Sequence, residues 1–349
     1  MEVKKINWFF PVLVISYLFL NVVSGVVIGI MMAAGINIPM WILYVLGEAI
    51  ALLIALVYIL IMRINIMKDM PYKLIGIKDI LLSVLTGYLL IPMVLFLNNI
   101  TMLFSNNYLN ESSQELIAYP YLVQVILMAV IPPLVEEFVF RGLFYGTYRK
   151  YNVPRAAVMS GLIFGIFHLN INQFAYAFVI GIIFAYMVEA TGSVWASVCA
   201  HFAVNTYSIT VIQILKMSGS YDSVISSSAE QQLTDIPVVS QVISYIVMFI
   251  VAVVFMMLAI LCIRNMAKRH GRLQYIKLRH ESEDVFEDDT SYAPTDSQTY
   301  LQENNQYINT DTDSSVTECK TVRNRIMTAP AAVTIVVCMV YMIVMEVVR

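Results

Sequence analysis

Nine mostly apolar runs divide this chain, at about 8–32, 40–62, 80–104, 119–140, 154–171, 174–189, 194–215, 236–263 and 326–347. A helix needs roughly 20 apolar residues to cross about 30 Å of hydrocarbon, and most of these runs reach or approach that length. Composition points the same way: 59% of residues are hydrophobic and 13% charged, whereas about 25% are charged in an average soluble domain. The predicted fold is an all-α polytopic membrane protein, a bundle of about eight transmembrane helices with a ninth standing apart near the C-terminus. The first run follows Lys4 and Lys5 as a signal peptide would. Its apolar stretch of about 25 residues exceeds the 7–15 of a signal core, so it reads as a retained span. Cys199, Cys262, Cys319 and Cys338 are scattered and suggest neither a disulfide framework nor a zinc finger.

Lys and Arg accumulate in alternate loops. Arg63, Lys68, Lys73 and Lys78 follow the second run, Arg149, Lys150 and Arg155 the fourth, and Arg264, Lys268, Arg269, Arg272, Lys277 and Arg279 the eighth, while 33–39 and 105–118 hold none. Positive charge favours the cytoplasmic side, which predicts a multi-pass cell-membrane protein with its N-terminus in the cytoplasm. The segment 281–319 carries eleven of the 24 acidic residues and no Lys or Arg. It has too little apolar surface to offset its ordering entropy, and is expected to be a disordered cytoplasmic linker whose partner the sequence does not name. Outside it 13 acids face 21 Lys plus Arg. The net charge of -3 therefore gives no reason to expect nucleic acid as a partner; the basic residues sit where anionic membrane lipids would meet them.

Ionisable side chains inside a span cost several kcal/mol and are by default candidates for function. Here they are Glu48, Glu136, Glu137, His168 and His201, with Glu189 and Glu346 close to span ends. Glu137 and Arg141, at i and i+4, share a helix face and can pair, which leaves Glu136, about 100° round the helix, free. Phe164 and His168 have the same spacing, as do His201 and Asn205. Counted from the basic clusters, Glu136 and His168 each lie roughly 20 Å deep, and His201 lies roughly 10 Å past the start of its span, so within helix-boundary error one layer of the bundle can hold them all. Pro132 and Pro133, just before the glutamates, remove backbone hydrogen bonds and predict a kink beside a hydrated pocket.

Such a pocket can activate water, with Glu136 as general base, His168 as its proton partner, and His201 and Asn205 donating to a developing oxyanion. The same Glu136, His168 and His201 could instead hold one divalent metal such as zinc in an open three-ligand site. Glu48, which belongs to no motif, reads as a structural acid that pairs with another span or reaches the outer face.

The residues resemble a family. Glu136-Glu137-Phe138-Val139-Phe140-Arg141-Gly142, Phe164-Gly165-Ile166-Phe167-His168, and His201-Phe202-Ala203-Val204-Asn205 after Thr191-Gly192-Ser193 match, in order, the three motifs of the CPBP family. That family takes in type II CAAX prenyl endopeptidases and bacteriocin-processing or immunity proteins, also called the Abi family. The resemblance implies catalytic Glu136 and His168, a supporting Glu137–Arg141 pair, and His201 and Asn205 stabilising the transition state, by either a metalloprotease or a glutamate mechanism. It implies an intramembrane endopeptidase acting on a peptide or lipid-modified peptide.

On this reading the chain divides into a three-helix region at 1–118, a catalytic core at 119–215, an eighth span with a basic segment at 216–280, the linker at 281–325 and a C-terminal transmembrane helix at 326–349. The sequence holds no His-Glu-x-x-His, Gly-x-Gly-Asp or Gly-x-Ser-Gly signature of other intramembrane proteases. The alternatives are a transporter with buried proton-carrying groups, which predicts a repeated span pattern, or a non-catalytic immunity or regulatory scaffold.

Overall fold

The computed structural model describes residues 2–105, 118–221, 237–277 and 326–348; the linker expected at 281–325 lies outside them. Among the described residues there are nine long helices and no strand. They are α1 Val3–Ala33, α2 Met40–Met62, α3 Ile77–Thr101, α4 Tyr121–Tyr148, α5 Val153–Phe167, α6 Ile171–Thr191, α7 Val194–Met217, α8 Val238–Arg269 and α9 Ala329–Val348. Eight are long and apolar enough to span a membrane, and α5, at 15 residues, is the short one. The architecture is the all-α multi-pass bundle that the apolar runs predict.

Several helix ends differ from the apolar runs, two of them for reasons visible in local contacts. The run at 119–140 continues as helix to Tyr148, because the polar residues beyond it find partners inside the bundle. Arg141 lies against Glu137, the Tyr145 hydroxyl donates to Glu189 Oε2 at 2.9 Å, and that of Tyr148 donates to Asn7 Oδ1 at 2.5 Å. In contrast α5 stops at Phe167 instead of 171. Leu169 takes a left-handed backbone with φ of 54°, and the Asn170 side chain accepts from the Gln173 N–H to start α6.

Small residues set how closely these helices approach. Gly161 and Gly165 form one stripe on α5, and a Cβ there would lie 2.8 Å from the Phe178 carbonyl oxygen and 3.0 Å from that of Phe174 on α6. The two backbones are in near contact, the small-xxx-small packing that lets van der Waals forces join helices where lipid competes equally for apolar side chains. A Gly161→Val variant is expected to lose about 1–3 kcal/mol through overpacking, seen as a lower Tm in detergent. Likewise Gly87 of α3 faces the backbone of Ala200 on α7, one residue before His201.

Only the first half of α1 is buried, by Ile6, Phe9, Phe10 and Leu13; Phe9 stacks on Tyr58 at 4.0 Å and on Phe144 at 5.5 Å between ring centroids. Its second half exposes Val22, Val26 and Ile30, as a lipid-facing surface does. The C-terminal α9 is part of the same bundle and packs against α1 and α5. Asn7, fully buried, ties these parts together by donating to the Ile326 carbonyl at 2.8 Å while it accepts from Tyr148.

One end of the bundle gathers the basic loops. The Val194 N–H donates to the Pro71 carbonyl at 2.7 Å, and Asp79 at the start of α3 holds Arg269 and His270 at the end of α8, each at 3.0 Å. Glu189, buried near the end of α6, accepts from Arg149, Arg272 and Tyr145 at 2.8–2.9 Å. Sequence reasoning gave Glu189 no partner. Its signal was an acid one turn from a span end that faces basic residues on two other loops.

Candidate active site

Arg141 and Glu137 make the foundation. Both side chains are fully buried, with Arg141 Nη1 3.1 Å from Glu137 Oε1. The guanidinium lies over the rings of Phe164, 4.2 Å from the centroid, and Phe184, at 5.4 Å. Among the described residues no guanidinium nitrogen meets hydrogen-bond geometry with an acceptor, so charge and the two π faces hold the group. Gly181 makes the space: a Cβ there would come within 3.2 Å of Arg141 Nη2. This explains a glycine in mid-α6 without appeal to backbone freedom.

Above this pair stands His201. Its Nδ1 is 3.0 Å from Glu137 Oε1, and its Nε2 is 3.5 Å from Glu136 Oε2. An ionised carboxylate only accepts, so Nδ1 carries a proton and donates it to Glu137, and Nε2 then faces Glu136, with which it can bond only through a proton held between the two. The turn preceding α7 sets this register. Gly192, with φ of 72°, closes α6, and the Ser193 hydroxyl accepts from the Trp195 N–H to start α7 two turns before His201. Glu136 remains the accessible carboxylate, with 17% of its side chain exposed against none for Glu137.

His168 occupies the C-cap of α5. Its Nδ1 is 2.9 Å from the Phe164 carbonyl oxygen, an acceptor, so Nδ1 donates there and Nε2 is left with a lone pair. The Phe164 ring lies between the two imidazoles, edge-on to His168 at 4.9 Å and to His201 at 5.9 Å. Phe164 thus touches Arg141, His168 and His201 at once. The left-handed Leu169 follows directly, and a bulky residue in that region is a backbone outlier of the kind that gathers at functional sites.

Asn205 is placed otherwise than an oxyanion donor alone would be. Its Nδ2 donates to the Met128 carbonyl at 3.0 Å. In α4 two π-helical stretches, Val125–Val130 and Phe138–Tyr145, flank Ile131–Glu137. The Met128 carbonyl would take its N–H from four or five residues ahead, which are Pro132 and Pro133, and neither has one. A carbonyl left unpaired within a membrane costs several kcal/mol, and Asn205 supplies the missing donor. The proline interruption just before Glu136 and Glu137 is therefore braced from α7.

The structure brings together Glu136, Glu137, Arg141, Phe164, His168 and His201, with Asn205 one turn from His201. It also adds a residue that sequence reasoning had set aside. Glu48 sits on α2, which packs against the 131–137 stretch of α4, so a second carboxylate lies on the helix that faces Glu136. Tyr17 reaches both sides of this space. Its hydroxyl is 3.5 Å from where a Cβ on Gly47 would be, and its ring is 4.8 Å from that of Phe167. A lone acid in an apolar span was the available signal, and the lack of a motif around it hid its neighbour.

The trio Glu136, His168 and His201 is not gathered as a ligand set. Among the described residues no three His, Cys, Asp or Glu side chains converge closely enough to hold a metal ion. Both His201 nitrogens already face carboxylates, and one nitrogen of His168 is spent on a backbone carbonyl.

Fold and site together define a multi-pass helical membrane protein with a Glu/His cluster buried beside a proline pair. Residues 118–207 match the family described as Rce1-like, type II CAAX prenyl endopeptidase Rce1-like. Over 93 residues the chain is 29% identical to the "Putative membrane peptidase YdiL" of Bacillus subtilis (strain 168), a match covering 26% of this chain and 38% of that protein. No solved structure matches. The matched region holds every residue of the cluster except Glu48, and its similarity supports a peptidase of the CPBP family.

Proposed function

We propose that this chain is an intramembrane endopeptidase, with its N-terminus in the cytoplasm, that hydrolyses a peptide bond of a membrane-associated peptide, prenylated or leader-like. The observation that carries the reading is the chain of contacts Arg141–Glu137–His201–Glu136. It holds one accessible carboxylate against an imidazole whose tautomer is fixed from behind. In this reading Glu136 takes a proton from water as the water attacks the scissile carbonyl. His168, whose Nε2 lone pair is free of the Phe164 bond, shares that proton and passes it toward the leaving amine. His201 orients Glu136, and Asn205, with one N–H committed to Met128, has its second for the developing oxyanion. No step is routed through a metal, because the side chains that would hold one do not converge.

The matched relative and family support a membrane protease. The substrate class rests on what the name of the family says its members cleave. The test is cleavage of a fluorogenic farnesylated peptide by purified protein in detergent. His168→Ala is expected to lower kcat by about 10²–10⁴-fold, with the Tm near that of wild type. Undiminished turnover by this variant would remove His168 from the mechanism. In a parallel arm a chelator is expected to leave the rate unchanged; inhibition that added zinc reverses would return Glu136, His168 and His201 to the role of metal ligands.

A further inference from the structure

α3 and α8 lie side by side and antiparallel, with their basic ends together. Two clefts open along their seam. One, of about 420 Å³, is lined by Lys78, Leu81, Leu82, Asn265 and Arg269. The other, of about 350 Å³, shares Leu82 and Asn265 with it and continues past Leu85, Leu89, Leu258 and Leu261. Together they make one groove with a cationic mouth and an apolar length. We propose that this groove is a binding site for a single anionic phospholipid, with the phosphate at Lys78 and Arg269 and an acyl chain along Leu85, Leu89 and Leu258.

Three observations favour that occupant. The mouth is positive where a headgroup would lie: Lys78 has no ion-pair partner among the described residues, and Arg269 binds Asp79 through Nη1 only. Asn265, at the junction of the clefts, adds a neutral amide within reach of phosphate or glycerol oxygens. The length also fits. Lys78 to Leu89 is eleven residues of helix, about 16 Å at 1.5 Å per residue, which is close to half of a ~30 Å hydrocarbon core and hence to one leaflet. A soluble anion would use the mouth and leave the apolar length empty. A zwitterionic lipid would fill the groove but bring a second positive charge to Lys78.

The experiment is native mass spectrometry of the full chain in detergent with equimolar dioleoyl phosphatidylglycerol and dioleoyl phosphatidylcholine. Wild type is expected to retain one phosphatidylglycerol in preference to phosphatidylcholine. A basic residue at a membrane surface contributes about 1 kcal/mol toward an anionic lipid, so Lys78→Gln is expected to cut that preference about five-fold. Leu85→Trp, which fills the apolar length, is expected to reduce retention of both lipids. Both substitutions are at exposed positions, and an unchanged Tm certifies the fold. Equal retention of the two lipids by wild type, an unaltered preference in Lys78→Gln, or displacement of the bound lipid by excess inorganic phosphate would each overturn the proposal.

Discussion

Replacement of Glu136 by Gln is expected to reduce peptide cleavage by 10²–10⁴-fold, the range that a positioned general base contributes, with little change in stability. The asymmetry follows from its surroundings. Glu136 has no Lys or Arg at ion-pair distance among the described residues, and it lies 3.5 Å from His201 Nε2, to which a Gln amide can donate. The amide keeps the shape and loses the basicity. The measurement is kcat in the farnesyl-peptide assay alongside the Tm; turnover within ten-fold of wild type would sink Glu136 as the base. Glu48→Gln is the companion. It removes a neighbouring carboxylate and leaves Glu136 intact, so it should change the rate less than Glu136→Gln does. A loss as large as that of Glu136→Gln would make Glu48 a participant.

Arg141→Met is expected to show the largest loss of stability, about 3–5 kcal/mol, because removing one partner of a buried pair leaves the other charge uncompensated. Glu137 is fully buried and would keep His201 as its only polar neighbour of those two. The double variant Glu137→Gln with Arg141→Met should recover part of that loss, since no orphaned charge remains. Thermal unfolding in detergent, followed for wild type, each single variant and the double, gives the cycle. If the double is less stable than Arg141→Met alone, the pair is not what holds this layer together. Activity should fall in all three variants, because the Glu137 contact fixes the His201 tautomer.

Much of this was legible in the sequence, for a physical reason: in lipid, hydropathy dictates where helices lie, and every span was announced by its apolar run. The i,i+4 geometry of Glu137 with Arg141 and of Phe164 with His168 could also be read, since both partners lie on one helix. What could not be read were contacts between helices. Nothing in the string sets Asn205 opposite the Met128 carbonyl, although Pro132 and Pro133 announce that some carbonyl will need a donor. Nothing pairs Glu189 with Arg149 and Arg272, or brings α2 against the stretch of α4 that carries Glu136. The end of α5 was misjudged because Leu169 counts as apolar in any window, whereas its backbone leaves the helix.

The brevity of α5 has a bearing on the membrane itself. Fifteen residues of helix measure about 22 Å at any tilt, against roughly 30 Å of hydrocarbon. A short span is accommodated by local thinning of the bilayer, by reach of its polar flanks toward the interface, or by burial against neighbours. The flank of α5 is His168, followed by Asn170, Asn172 and Gln173, and Asn172 is already bonded to Thr101 at 2.9 Å. Were α5 to cross the bilayer, the end that falls short would be the one that carries His168, and the thickness of the host bilayer would then bear on the hydration of that imidazole.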